Sequence, residues 1–227
     1  PIMMAEVMLG RRGRQSPINT MRTLAYEEKV SPNWRWLGWA GVLAGFLILS
    51  YYSVIAGWAL AYVFRTGSGL FTGLTADGVQ SIFNNLVTEP ERLLAWHTIF
   101  MVMTMFVVAR GVSGGLERAV RLLMPALFVM LLVMIGYAVV KGDLKAGLDF
   151  LFSTDFSKID GTIVLSAVGQ AFFSISVAMG LIMTYGSYVP KDVSLTKSAL
   201  IIAGADTLVA LLAGLMIFPI VFANNLD

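Results

Sequence analysis

Residues 169–180 read GQAFFSISVAMG and sit in the middle of Gly161–Val189, a run without a single charge. A run of that length and polarity predicts a membrane-crossing helix, which needs about 20 apolar residues. Gly169 and Gly180 bracket its centre, Gln170, Ser174 and Ser176 lie between them, and Gly186 follows. Glycine weakens a helix interior, and backbone groups freed in hydrocarbon cost several kcal/mol each unless they line a cavity or bind something. A helix broken at the membrane midplane offers carbonyl oxygens to a cation and a half-helix terminus to a charged group. The hydroxyls of Ser174 and Ser176 are hard oxygen ligands, suited to Na⁺ rather than to a soft metal. The stretch therefore reads as an ion and solute site. A Gly/Ser-rich packing helix has the same composition, and the residues alone leave that reading open.

The rest of the chain supplies the setting. Of its 227 residues 57% are hydrophobic and only 13% charged, about half the charged fraction of an ordinary soluble domain. An all-α polytopic membrane protein follows. A net charge of +2 gives no argument for nucleic acid, and the absence of cysteine excludes disulfides and thiolate metal sites. Four further apolar runs are expected to span: Trp36–Phe64, Leu93–Ala109, Leu122–Val140 and Ser198–Leu226. Residues 1–9 look like the end of another span. Because Pro1 opens directly on IMMAEVMLG without a Met or a signal pattern, the chain is expected to be an internal stretch of a longer membrane protein.

Basic residues orient these spans. Arg11, Arg12, Arg14, Arg22, Lys29, Arg35, Arg110, Arg118, Arg121, Lys191 and Lys197 lie on one side, and Arg65, Arg92, Lys141, Lys145 and Lys158 on the other. The positive-inside rule makes the first set cytoplasmic. Residues 65–92 and 141–160, the latter with Asp143, Asp149, Asp155 and Asp160, then face outward.

Polar residues at depth are few, and each has a bland reading. His97, near the outer end of its span, reads as an interfacial histidine before a proton relay. Ser50, Ser53 and Thr104 can return hydrogen bonds to their own helix. Gly41 and Gly45, in GVLAG, read as a close-packing pair. Gly115 and Pro125 bracket the inner end of their span; a proline removes one helix hydrogen bond and clashes one turn back, so this turn can open or simply kink. Tyr51 and Tyr52 lie mid-span, away from the interfacial aromatic belt, where a phenol needs a partner for its hydroxyl. Glu6 and Asp206 are acids in apolar surroundings. Such groups are expensive there and are usually paired or functional.

AVGQAFFSIS at 167–176, SYYSVIAGWAL at 50–60, IMTYGSYVPKD at 182–192 and MMAEVMLGRRGR at 3–14 occur in one order along nearly the whole chain. In these motifs the sequence resembles the neurotransmitter:sodium symporter family, with bacterial carriers of several hydrophobic amino acids the nearest kind of member. The resemblance implies an inverted-repeat fold whose first and sixth helices are broken at the midplane. On it, residues 1–9 are the end of helix 2, 36–64 helix 3, 93–112 helix 4, 115–140 helix 5, 161–189 the broken helix 6, and 198–226 helix 7. It further implies that Tyr52 hydrogen-bonds the substrate carboxylate, and that Ile48, Phe173, Ser176 and Met179 wall the substrate side chain. Ser174 and Asp206 correspond to ligands of the sodium ion that also touches that carboxylate. Most members carry asparagine where Asp206 stands, and chloride-dependent ones a serine where Ala210 stands; both departures imply chloride independence. Gln170 matches a glutamine beside the ion region, Glu6 the acid that caps freed amides of the broken helix, and Gly115 with Pro125 a pair that lets the inner end of helix 5 unwind. Helices 1 and 8, which hold much of both sodium sites in the family, fall outside this stretch, so the chain by itself is not expected to transport.

The function implied is sodium-coupled symport of hydrophobic L-amino acids across the inner membrane of a prokaryote, with Na⁺, the amino acid and the lipid bilayer as partners. The pocket formed by Ile48, Phe173 and Met179 carries no charge, and methionine adapts its shape, which favours breadth over strict selection. A channel or receptor-like bundle is the alternative; one broken helix with one buried acid supplies neither a continuous pore nor an outer ligand cup. An intramembrane enzyme would need parts that one His, no Cys and no H-E-x-x-H or G-x-S-x-G motif do not provide.

Overall fold

The structure is a computed structural model and describes residues 1–153 and 155–224. Ten α-helices are described: α1 Ile2–Gly13, α2 Pro17–Glu27, α3 Arg35–Gly67, α4 Ala76–Thr88, α5 Pro90–Val108, α6 Glu117–Lys141, α7 Leu144–Phe152, α8 Gly161–Ile175, α9 Leu181–Gly186 and α10 Leu195–Ala223. Among the described residues, four helical stretches are long and apolar enough to cross a membrane: Pro32–Gly67, Pro90–Val108, Gly114–Lys141 and Leu195–Ala223. Large apolar side chains such as Leu165, Leu200 and Val140 are more than two-thirds exposed, the inverse of a water-soluble core and the arrangement hydrocarbon favours. The expected end of the last span, Asn225 and Leu226, lies outside the described residues.

The chain divides into two compact units, Pro1–Gly45 with Pro125–Asp227 and Phe46–Met124. In the first unit, α1 lies against α9 at two glycines. A Cβ on Gly10 would collide with the Met183 carbonyl, and one on Gly186 would sit 2.6 Å from the Val7 carbonyl. Only hydrogen fits between these backbones. Gly186, the last residue of α9, thus serves packing. The loop after α1 folds back as α2, where Thr20 fills the space beside Gly13 and Arg12 donates to Glu28 at 2.7 Å and Glu27 at 3.2 Å.

At the opposite end of the same unit, α7 docks on α10 around Pro219. The Asp143 N–H donates to the Pro219 carbonyl at 2.8 Å, Gly142 and Gly147 leave room for the proline ring, and Phe150 packs on Phe218 at 4.6 Å between ring centroids. The acids of segment 141–160 have local work. Asp143 accepts from the Ala146 N–H, Asp155 from the Ser157 N–H and hydroxyl, and Asp160 from the Ile163 N–H. Each satisfies an amide at a helix start that would otherwise lack a partner. The Ser157 donors hold the Asp155 carboxyl below the usual carboxylate range.

In the second unit, Gly57 of α3 lets the α5 backbone approach at Trp96 and His97. Trp58 and Tyr62 meet Phe83 of α4 at 5.7 and 6.4 Å between ring centroids, and Arg65 donates to the Ile82 carbonyl. After α5, Gly111 at φ 77° leads into one wide π-type turn, Val112–Leu116, and then α6. Gly115 sits in that turn with the Val107 carbonyl against it. Pro125 lies inside α6, which continues through it to Lys141; in this structure the proline neither ends nor opens the helix.

Candidate functional site

The uncharged run Gly161–Val189 forms two helices, α8 and α9, with a break between Ile175 and Leu181. The polar residues between Gly169 and Gly180 predict a non-helical segment around Ser174–Met179, but Ser174 and Ile175 still belong to α8 and the break is 176–180. The backbone explains the offset. Ser176, Ala178 and Gly180 alternate in the left-handed region at φ 60°, 67° and 71°, which L-residues other than glycine enter at a cost of about 1–2 kcal/mol each. Gly169, by contrast, stays helical within α8.

Breaking the helix frees acceptors. The Ser176 N–H reaches back to the Phe173 carbonyl at 3.1 Å and the Val177 N–H to that of Phe172 at 3.0 Å, closing α8. Among the described residues, no backbone N–H is paired with the carbonyls of residues 175–179. One freed donor does have a partner: Glu6 of α1 accepts the Ala178 N–H at Oε1, 2.5 Å away. The other Glu6 oxygen, Oε2, is buried without a partner among the described residues. Close packing of α1 on α9 at Gly10 and Gly186 carries Glu6 to the break, and that role for two glycines was not visible in sequence.

Two more contacts hold the break from below. The N-terminal part of α3 passes so close at Gly41 that a Cβ there would sit 3.1 Å from the Gly180 nitrogen and the Met179 carbonyl carbon, and Pro17 of α2 lies on Gly180. The paired reading of GVLAG therefore holds for Gly41 alone, since nothing lies within 4 Å of a Cβ built on Gly45. The motif marked Gly41 for close packing, but its spacing does not reveal that the partner is a chain break rather than a helix.

At the end of α8, the Ser174 hydroxyl donates to Asp206 Oδ2 at 2.7 Å, linking residues 32 apart in sequence. Ser174 lies one residue before the end of α8 and Asp206 near the middle of α10, so a hydroxyl, a carboxylate and unpaired carbonyls gather around one short segment. All are hard oxygens. Phe173, Ser176 and Met179, each half-buried, belong to the same segment, and Gln170 is exposed on α8. Ile48 and Tyr52 lie on α3 in the second unit, with the Tyr52 ring edge-on to Tyr51 at 5.1 Å. Gly115 lies in the π-type turn before α6, and Pro125 inside α6.

Comparison with known proteins gives a consistent answer. The family model described as Sodium:neurotransmitter symporter family matches residues 78–225. A sodium-dependent transporter of Bacillus subtilis, YhdH, is 36% identical over 98% of this chain and 49% of its own length. A sodium-dependent transporter of Haemophilus influenzae is 32% identical over the full chain and 51% of its own length. Among solved structures, that of MhsT in complex with L-phenylalanine superposes with a TM-score of 0.88 at 43% identity, covering 98% of this chain and 50% of that one. The chain spans about half the length of the relatives it matches.

Proposed function

Since the chain belongs to the sodium:neurotransmitter symporter family, we propose that it forms part of a carrier that couples Na⁺ entry to uptake of hydrophobic L-amino acids across a prokaryotic inner membrane, by alternating access and without chloride. The observation that carries this reading is the Ser174–Asp206 hydrogen bond beside a helix break where, among the described residues, no backbone N–H is paired with the carbonyls of residues 175–179. A sodium ion prefers hard oxygen donors, and a carboxylate at this depth is tolerable once a cation compensates it. Ser174 and Asp206 would ligate Na⁺ as a transported ion, and the substrate carboxylate would complete its shell. Each ligand then raises the affinity of the other by the same factor.

The remaining roles are proposed residue by residue. Phe173, Ser176 and Met179 would line the substrate side chain along the break, and Glu6 would hold the break open by satisfying Ala178. Ile48 would add an apolar wall, and Tyr52 a hydroxyl for the substrate carboxylate. Gln170 would support the ion region, and Gly115 with Pro125 would let the inner end of their helix unwind. The uncharged segment 173–179 supports an apolar substrate, as does the phenylalanine held by MhsT. An acid at Asp206 with Ala210 one turn later supports chloride independence. Transport involves no covalent step.

Reconstitution of the full-length protein into liposomes tests the reading. Labelled leucine or phenylalanine should accumulate down an imposed Na⁺ gradient, saturably and equally well in gluconate and chloride media. Uptake that ignores the Na⁺ gradient, or that never saturates, would replace the symporter with a different carrier or a channel.

A further inference from the structure

The end of the break rests directly on the backbone of α3. A Cβ built on Gly41 would lie 3.1 Å from the Gly180 nitrogen and the Met179 carbonyl carbon, and 3.2 Å from the Met179 oxygen. Three residues earlier, one built on Gly38 would lie 2.6 Å from the Ile18 Cα and 2.8 Å from the Pro17 carbonyl carbon. Pro17, buried as the first residue of α2, completes the contact, because a Cβ on Gly180 would meet its ring at 3.3 Å. Helix α3, the start of α2 and the end of the break thus meet backbone to backbone around one proline ring, all within the first unit. A shift at this seat would travel. Ser176, Ala178 and Gly180 hold left-handed φ values, which makes the break a stiff corner, and α9 begins at the next residue. In turn, α9 is tied to α1 at Gly10–Met183 and Gly186–Val7, and α1 carries Glu6 to Ala178. Moving Gly180 against α3 therefore moves α9, α1 and the Glu6 acceptor together.

We infer that Gly41 is a positioning residue of the carrier: the break seated on bare α3 backbone is the arrangement that binds substrate, and leaving that seat opens the site on the α2 side. This role rests on the proposed function and names the contact that regulates the same site. Alanine at 41 places a methyl group closer than ordinary van der Waals contact to its neighbours. Those neighbours are backbone, so they yield only by moving the whole segment. The methyl group therefore penalises the seated arrangement alone. A ligand that binds one of two arrangements loses apparent affinity in proportion to the population of that arrangement. Release toward the α2 side must unseat the break and becomes easier. Plain loss of stability does neither of these things; it reduces the amount of folded carrier and leaves KM where it was.

The test uses the full-length protein in liposomes, with leucine uptake measured at saturating Na⁺. Gly41→Ala should raise the KM for leucine about fivefold, while turnover per folded carrier holds or rises. Pro17→Ala removes ring atoms beside Gly180 and adds nothing, and it should raise KM about twofold in the same direction. It decides alone if the Gly41 variant misfolds. An unchanged KM, or a fall in turnover at unchanged KM, would overturn the role. A second measurement does not depend on transport. Nitroxides at Trp36→Cys, near the start of α3, and Tyr188→Cys, just beyond α9, report the separation of the two helices by pulsed electron paramagnetic resonance without substrate. Adding Gly41→Ala, or Pro17→Ala in its place, should enlarge the population at longer distance. Wild-type protein that shows no Na⁺-driven uptake would sink the carrier reading, whereas an unchanged distance distribution in the variant would sink the seat at Gly41.

Discussion

Glu6 and Ala178 show how single residues stabilise an otherwise unfavourable backbone. The Ala178 N–H has left its helix, and the Glu6 carboxylate accepts it. Glu6→Ala should strand that donor and lower stability by about 1–3 kcal/mol, the cost of an unsatisfied buried group. Glu6→Gln keeps an oxygen acceptor and should lose less than half as much. Thermal melts of the purified full-length pair measure the difference, and equal losses would mean that charge rather than the acceptor matters. Met179 is the residue through which substrate size should be read. Replacing it by Trp should cut binding of tryptophan and phenylalanine more than that of leucine, because the added ring competes for the same volume. Competition assays with the three amino acids decide; equal losses would put Met179 outside the pocket. At this scale the sequence was informative about chemistry. An acid and a serine in apolar runs, Asp206 and Ser174, stood out because hydrocarbon tolerates few such groups, although nothing in their spacing revealed that they share a hydrogen bond. Gly10 was opaque, because a glycine's function depends on what approaches it, and Gly41 was readable as a close-packing residue but not as one that meets the break.

Among the elements, the long helices were readable because twenty apolar residues in a row have few alternatives. The short ones were not. Helices α2, α4 and α7 lie in segments read only as connecting charge, and their amphipathic patterns are too brief to separate from loops. Three aspartates that sequence placed on the outer surface turned out to start helical turns, a role fixed by the amide two or three residues onward. The break was anticipated from its glycines, yet it is set by left-handed Ser176 and Ala178 as much as by Gly180. Gly169 contributes nothing to it. The α1–α9 contact makes the sharpest test of this scale. Gly186→Val pushes two methyl groups into the Val7 backbone, which cannot yield as a side chain could. Such overpacking costs about 1–3 kcal/mol or more, and α1 should be displaced together with Glu6. Gly45→Val, with open space around it, should be neutral. Melting temperatures of the two variants should differ by several degrees, and similar values would contradict the packing described here.

For the molecule as a whole, the proposed function makes one helix break the place where two solutes are coupled. The family resemblance carried by the order of the motifs is matched by the family model and by the superposition on MhsT, although the chain spans only about half the length of its relatives. The central claim is that the oxygens of Ser174 and Asp206 hold the sodium ion that the substrate carboxylate completes. Asp206→Asn in the full-length protein keeps one oxygen and the local volume but removes the fixed charge. Sodium should still promote amino-acid binding, but the Na⁺ concentration for half-maximal effect should rise about tenfold, about 1.4 kcal/mol of lost ion stabilisation. Chloride should restore little, since Ala210 brings no hydroxyl to the neutralised site. The deciding measurement is a sodium titration of labelled leucine binding to wild type and Asp206→Asn, each with and without chloride, at equal thermal stability. A rightward shift with substrate affinity retained at saturating Na⁺ is the predicted result; superimposed wild-type and mutant curves would make Asp206 a structural acid and contradict the coupling account.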